Sequence, residues 1–367
     1  MKITLERNSL LAALQLVAGA VEKRQTLPIL SHVLLSFEKN ILAITATDLE
    51  VELLAKIQLP LTVEKCEFTV PARKLIDICR ELPEDVALKF EVENNKLTIR
   101  SGSGKFVLST LQAAEFPKVG KSEVHLEFNI DQSILKYLLG KTYFTMAQQD
   151  VRYYLNGMLF DLKKDSLQVV AADGHRLALA AYKAAFGFKN DLQIILPRKG
   201  ALELMRLLND ETSDIKIAIG TNHIHAITNQ FVFTSKLVEG KFPDFKRVIP
   251  KNPDKIATIT RNLFKEALSR TAILCNEKYH GVRLIFEQNL LSIFANNSEQ
   301  EEAEEKITIN YTNEKLDIGF NVTYLLDALT ALPEGDIKLS LTDANSSVLI
   351  EHSAVKDCLY VIMPMRL

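Results

Sequence analysis

The chain repeats itself three times, and this limits its possible folds more than any other feature of the sequence. Phe68–Leu82 (FTVPARKLIDICREL) resembles Ile194–Leu208 (IILPRKGALELMRLL) and, more faintly, Ile318–Leu332 (IGFNVTYLLDALTAL). Pro71 and Pro197 lie 126 positions apart, and Pro197 and Asn321 lie 124 apart. A second landmark keeps the register: Leu42 to Asp48, Leu167 to Asp173 and Leu291 to Asn297 are alternating runs that end in a turn former. Phe116-Pro117 recurs as Phe242-Pro243. Three units, at 1–122, 123–250 and 251–367, account for all 367 residues, more than one hydrophobic core serves.

Each unit reads as a short strand, an amphipathic helix, alternating strands, a second helix and further strands. Lys2–Leu5, His125–Phe128 and Ile256–Ile259 open the units. The helices that follow have apolar residues at helical spacing: Leu10, Leu11, Leu14 and Val17 in the first unit, Leu263, Ala267, Leu268 and Ile273 in the third. The second helices open with Pro71, Pro197 or Asn321. Ala87–Glu93, Lys96–Arg100, Lys216–Ile219 and Lys338–Leu341 alternate apolar and polar, as antiparallel sheets with one wet face do. The expected fold class is α+β, built by triplication.

The 44 basic and 46 acidic residues leave a net charge of −2, so a nucleic-acid site must be local. The predicted helices concentrate cations, eleven Lys and Arg (Arg73, Lys74 and Arg80 among them) against six acids. Such a surface attracts phosphates without reading bases, although solvated helix faces account for it equally well. The acidic run Glu299 to Glu305 complements Lys74, Arg100 and Lys105, which favours head-to-tail association between chains. Four scattered cysteines fit buried thiols in a reducing compartment. Early charges at Lys2, Glu6 and Arg7, and the lack of an apolar run near the roughly 20 residues of a membrane helix, make export and insertion unexpected. A cytoplasmic protein without membrane contact is expected.

Enzyme signatures are weak. Ser101-Gly-Ser-Gly-Lys105 lacks the outer residues of a phosphate loop and reads as a hairpin turn. His223 and His225 share a strand face but have no nearby third metal ligand in the sequence. Asp173-Gly-His175-Arg176 looks catalytic by residue type, yet Asp173 holds the repeat position of Asp48 and Asn297, a turn. A hydrolase using Asp173, His175, His223 and His225 is the rival reading, and a peptide-binding scaffold without DNA is a third.

Thr26–Leu30, Thr47–Glu50, Val70–Lys74, Gln149–Gly157, Asp173–Leu177, Phe231–Leu237 and Met363–Leu367 together resemble the bacterial β sliding clamps, processivity subunits of DNA polymerase III, along the whole chain. The resemblance implies a head-to-tail homodimeric ring of six domains, with helices lining a hole for duplex DNA and sheets outside, and no catalysis, cofactor or metal. Arg24, Arg73, Gln149, Tyr153 and Tyr154 would touch DNA. Leu155, Ala172, Gly174, His175, Arg176, Leu177, Pro243, Arg247, Val248, Asn321, Tyr324, Ser347, Ile362, Met363, Pro364, Met365 and Arg366 would form a groove for short Gln- and Leu-containing peptides. Those peptides would come from the polymerase III alpha subunit, the clamp loader, other DNA polymerases and repair proteins. The dimer seam would join Lys74, Ile78, Lys105, Phe106 and Leu108 to Ile273, Leu274, Glu299, Glu301, Glu302, Glu304 and Glu305. Ser103, Gln148 and Ala172 depart from the familiar pattern, where an Arg, a His and a Thr are usual.

Overall fold

The computed structural model describes residues 2–22, 27–120, 123–188, 190–209 and 213–366. The first repeat forms β1 (Lys2–Glu6), α1 (Arg7–Val17), β2 (His32–Thr47), β3 (Val51–Pro71), α2 (Ala72–Glu81), β4 (Ala87–Glu93), β5 (Lys96–Ser101) and β6 (Gly104–Ser109). The second forms β7 (Val124–Asp131), α3 (Gln132–Gly140), β8 (Gly157–Lys163), β9 (Ser166–Ala172), β10 (Arg176–Lys183), β11 (Leu192–Pro197), α4 (Arg198–Leu207), β12 (Asp214–Gly220), β13 (His223–Ile227) and β14 (Phe231–Lys236). The third forms β15 (Lys255–Thr260), α5 (Arg261–Thr271), β16 (Gly281–Glu287), β17 (Leu290–Asn296), β18 (Glu302–Thr308), β19 (Leu316–Asn321), α6 (Val322–Ala331), β20 (Asp336–Leu341), β21 (Val348–His352) and β22 (Cys358–Ile362).

The repeated turn former has one physical job in all three units. The Oδ1 atom of Asp48 accepts from the Glu50 and Val51 amides, that of Asp173 from His175 and Arg176, and that of Asn297 from Glu299 and Glu301. Each side chain stands in for a backbone acceptor and reverses the chain between strands. Ser101 and Gly104 pair across a hairpin with Gly102 at φ 54°, so the glycine-rich pentapeptide is a turn. Pro71, Pro197 and Asn321 sit one residue before their helices. Asn321 caps α6 by accepting from the Thr323 and Tyr324 amides.

By contact, the chain divides into two compact units, Met1–Ser133 with Leu202–Leu237 and Ile134–Ala201 with Val238–Leu367, and neither is a whole number of repeats. The cause is strand pairing across repeat boundaries. In the first unit β3 pairs with β14, giving a six-stranded sheet in the order β2-β3-β14-β13-β12-β7 beside a four-stranded sheet, β1-β4-β5-β6. In the second, β10 pairs with β22, giving β11-β8-β9-β10-β22-β21-β20-β15 beside β18-β17-β16-β19.

Helix α1 buries Leu10, Ala13, Leu14 and Val17, and α5 buries Phe264, Ala267, Leu268 and Thr271, in each case the i, i+3, i+4, i+7 stripe. Leu263 and Ile273, expected on the apolar face of α5, are instead exposed, Ile273 at 77%. Leu263 falls outside the stripe, and Ile273 lies beyond α5 in the 3-10 turn Ala272–Leu274.

Many helix cations are committed within the fold. Arg7, the first residue of α1, donates to the Cys79 and Arg80 carbonyls near the end of α2. Arg261, its counterpart at the start of α5, donates to the Leu329 and Leu332 carbonyls at the end of α6. Arg206 bonds Glu203 and the Leu16 carbonyl, and Arg198 the Met146 carbonyl. A guanidinium satisfies the orphan carbonyls of a helix end and complements the negative end of its dipole. The even-handed reading of the helix charges therefore resolves residue by residue, with Arg73 and Lys74 exposed and making no ion pair among the described residues. Arg261→Met should lower unfolding free energy by about 1–3 kcal/mol, since two part-buried helix-end carbonyls lose charged donors. Denaturant unfolding checks this; an unchanged midpoint would show that the carbonyl bonds contribute nothing.

Candidate functional site

In the second unit an apolar cavity of about 240 Å³ is bounded by three loops, which bring Leu155, Gly174 and Pro243 together, and by the end of β22. Its floor belongs to a buried cluster containing Leu155, Leu177, Phe242, Phe245 and Val361. Nine expected groove residues line it: Leu155, Ala172, Gly174, His175, Arg176, Leu177, Pro243, Val248 and Met363. Val248 and Met363 are exposed at the rim at 40% and 41%. The Met363 amide donates to the His175 carbonyl at 2.8 Å and ties the chain end to the wall.

The other expected groove residues lie around the cavity or apart from it. Ile362 is buried in β22 opposite Arg176, and Asn321 is spent as the α6 cap. The Tyr324 ring lies 4.3 Å from the Arg176 guanidinium, and burial pushes its hydroxyl pKa up. Ser347 is half-buried just before β21, and Pro364 is half-buried beyond Met363. Arg247 is mostly exposed and pairs with Asp244 at 2.9 Å. Met365 bridges to Gly319, and with Arg366 it lines a second, polar cavity of about 1010 Å³ that includes Gly281, Arg283 and Asn345.

Arg176 holds this region together. Its guanidinium donates to Asp173 Oδ2 (3.0 Å), Asp327 Oδ2 (2.6 Å) and the Phe144 carbonyl (2.7 Å), and its side chain is 12% exposed. It joins the Asx turn of the second repeat to α6 of the third. Asp173 is thereby fully engaged by amides and a guanidinium, which leaves no free carboxylate for the hydrolase reading. His223 and His225 have stacked rings 6.5 Å apart on β13, and His225 Nδ1 lies 2.9 Å from Thr234 Oγ1.

The loop before Leu155 is also built from local polar bonds. Asn156 Oδ1 accepts from the Asp150 amide and Asn156 Nδ2 donates to the Asp150 carbonyl, while Gln149 takes a left-handed φ of 56°. Gln149 is exposed, as is Tyr153 at 57%, whereas Tyr154 packs against the apolar cluster with its ring edge to Tyr153. Of the expected DNA contacts, Arg73 is exposed on α2, and Arg24 lies outside the described residues. The seam residues Lys74 and Lys105 are exposed, Ile78, Phe106 and Leu274 half-buried, and Leu108 buried. Glu302, Glu304 and Glu305 lie on β18, and Glu299 and Glu301 in the turn before it; Glu305 pairs with Arg270 at 2.7 Å.

Sequence reasoning missed Arg152, Phe242, Asp244, Phe245 and Val361 as cavity residues. The recurring Phe-Pro pair marked Phe242 as a landmark, and Val361 sits in the apolar terminal run. Arg152 falls within the Gln149–Gly157 motif, but no sequence signal placed it at the cavity, where its guanidinium lies so close that a Cβ on Gly174 (φ 91°) would come within 2.6 Å.

Models of the DNA polymerase III beta subunit match the chain in order: its N-terminal domain at residues 1–120, its central domain at 129–244 and its C-terminal domain at 246–366. A Pseudomonas putida protein named beta sliding clamp is 51% identical over 367 residues, and one from Escherichia coli K12 is 47% identical, with all of both chains covered in each case. The crystal structure of the DNA polymerase III subunit beta from Pseudomonas aeruginosa matches at a TM-score of 0.98 and 51% identity over the full length of both chains. A sliding clamp from the same organism bound to griselimycin matches at 0.96 and 51%, again over both full chains.

Arg176→Ala should cost about 2–4 kcal/mol, because it strands two part-buried carboxylates, whereas Arg247→Ala should cost less than about 1 kcal/mol. Parallel denaturant titrations test the contrast, and equal small losses would remove Arg176 from its central role.

Proposed function

The chain belongs to the DNA polymerase III beta subunit family, and from that premise we propose that it acts as a sliding clamp: a head-to-tail homodimeric ring that encircles duplex DNA and tethers the polymerase. It is a processivity factor with no catalysis of its own. Tethering works through effective concentration, since a polymerase held near its template rebinds before it diffuses away. Contacts to DNA are sequence-independent, with exposed Arg73, Gln149 and Tyr153, together with Arg24 and Tyr154, meeting the phosphates and sugars. The apolar cavity at Leu155, Leu177 and Val248 accepts short peptides from the polymerase alpha subunit, the clamp loader and repair proteins. We assign the domains to 1–122, 123–250 and 251–367, and the working compartment to the cytoplasm.

The observation that carries the ring is the recurring strand junction. The last strand of the second repeat (β14) lies against β3 of the first, and the last strand of the third (β22) against β10 of the second. The last strand of the first repeat, β6, and the counterpart of β3 and β10 in the third, β18, are both sheet edges. Open edges invite a partner strand, and each of these is the other's missing partner in a second copy. The register follows by repetition. Phe231 opens β14 opposite Ala55, and Cys358 opens β22 opposite Ala180. The strand residue paired with the position four places before the turn former is Ala55, Ala180 and, in the third repeat, Glu305, so the same step places Gly104 opposite Glu305 and Phe106 opposite Ala303 of the neighbouring chain, which sets Lys105 opposite Glu304. Exposed Ile273 then gains an apolar partner in Ile78 or Leu108.

Two outcomes are expected. The double variant Val107→Cys with Glu302→Cys, opposite in this register, should oxidise to a covalent dimer that reductant reverses; crosslinking no greater than in either single variant would reject the seam. Protein loaded on nicked circular DNA at moderate salt should be lost only after linearisation, whereas equal retention on both forms would indicate ordinary site binding.

A further inference from the structure

The outer edge of β1 is unpaired where its counterpart in the third repeat is not. β1 ends the order β1-β4-β5-β6, and among the described residues no strand pairs with its other side. Beside that edge lies a cavity of about 600 Å³, lined by buried Leu5 and Leu59 and flanked by Thr4, Glu6, Pro60 and Asp85. Thr4 and Thr258 each stand three residues before the first residue of a helix, and across the sheet they face Lys89 and Lys338. Gln58 and Thr308 each pair with the residue seven places before the turn former, so Pro60 corresponds to Asn310 and Leu61 to Tyr311. In the third repeat Asn310 bridges to Thr258, each amide donating to the other's carbonyl at 2.9 Å, and Tyr311 is wholly buried. In the first repeat Pro60 has no amide to donate, no such bridge forms, and Leu61 stands 75% exposed.

We propose that this edge is a docking site for an extended peptide of a partner protein, which pairs with Thr4 as Asn310 pairs with Thr258 and carries a basic residue beside its apolar ones. The backbone argument is alternation. Hydrogen bonds of an antiparallel strand point to its two sides in turn, so the residue whose amide and carbonyl face outward in β15 has its counterpart facing outward in β1. An added strand satisfies both groups, and its apolar side chains cover Leu59 and Leu61. Pro60 keeps the chain from closing on its own edge in this way. The charge argument comes from the rim. Glu6 accepts from Ser9 Oγ at 2.7 Å and Asp85 from Asn8 Nδ2 at 2.8 Å, and neither carboxylate has a cationic partner among the described residues. Two such carboxylates at one end of an apolar cleft favour a cation there. All the lining residues belong to the first compact unit, and none of them lines the apolar groove.

The probe is a labelled synthetic peptide of the chain's own Lys306–Asn313 (KITINYTN), the segment that bridges to β15. With Asn310 opposite Thr4, antiparallel pairing brings Thr308 opposite Glu6 and carries Lys306 to the Asp85 end of the cavity, where the Arg7 amide meets the Val86 carbonyl. Fluorescence polarisation with the full-length protein should show saturable binding, and hydrogen exchange followed by mass spectrometry should slow over Lys2–Ser9. Asn310→Pro in the peptide should weaken binding about five- to tenfold, the loss of one backbone hydrogen bond. Glu6→Gln with Asp85→Asn in the protein should weaken it about two- to fivefold and should leave a peptide carrying Lys306→Gln unaffected. No saturable binding at millimolar peptide, or equal binding of the Asn310→Pro peptide, would overturn the inference. Slowed exchange around Leu155 and Val361 in place of Lys2–Ser9 would also overturn it, by assigning the peptide to the groove. Protection of Lys2–Ser9 that grows with protein concentration in the absence of peptide would give the edge to a second copy of the chain and reject a peptide partner.

Discussion

Sheet edges govern this molecule. A β-strand with one side unpaired exposes a row of amides and carbonyls that must find partners or remain in water, and here the repeats resolve most of that need against each other. Pairing of β3 with β14 and of β10 with β22 makes each long sheet a property of two repeats at once. A slip of one residue at either junction would turn every side chain of the slipped strand to the wrong face.

Arginine does the second part of the joining, and it does so by donating to oxygen atoms that the backbone leaves over. Arg7 and Arg261 close the ends of neighbouring helices, and Arg176 closes a turn onto a helix of another repeat. The planar five-donor fork suits this task better than an ammonium would, because two or three acceptors in different directions are satisfied by one rigid group. The apolar cavity inherits its rigidity from this arrangement. One wall is fixed by Arg176 beneath and by the Met363 amide on the His175 carbonyl.

Much of this was legible in the sequence. The three-fold register, the turn role of Asp48, Asp173 and Asn297, the hairpin at Gly102 and the helix caps near Pro71, Pro197 and Asn321 are local features, set by residues close together in the chain. Nine groove residues that the family resemblance implied do line one cavity. What the sequence hid was partnership at long range. Periodicity tells which face of β14 is buried but not that β3 lies beside it, and charge counts cannot separate Arg261, spent on carbonyls, from Arg73, left in water. The cavity position of Arg152 was hidden for the same reason: its place over Gly174 depends on a contact across 22 positions of sequence.

The two internal junctions differ from the proposed third in one respect that no side chain decides. β3 and β14, like β10 and β22, belong to one covalent chain, so their mutual effective concentration does not fall on dilution. The β6 and β18 edges of separate chains meet only at the concentration of the protein itself. Even with identical hydrogen bonds and packing at every joint, connectivity alone would make that joint the one that parts first. A ring of this design therefore opens where two chains meet, and the chemistry of the seam has only to set how often.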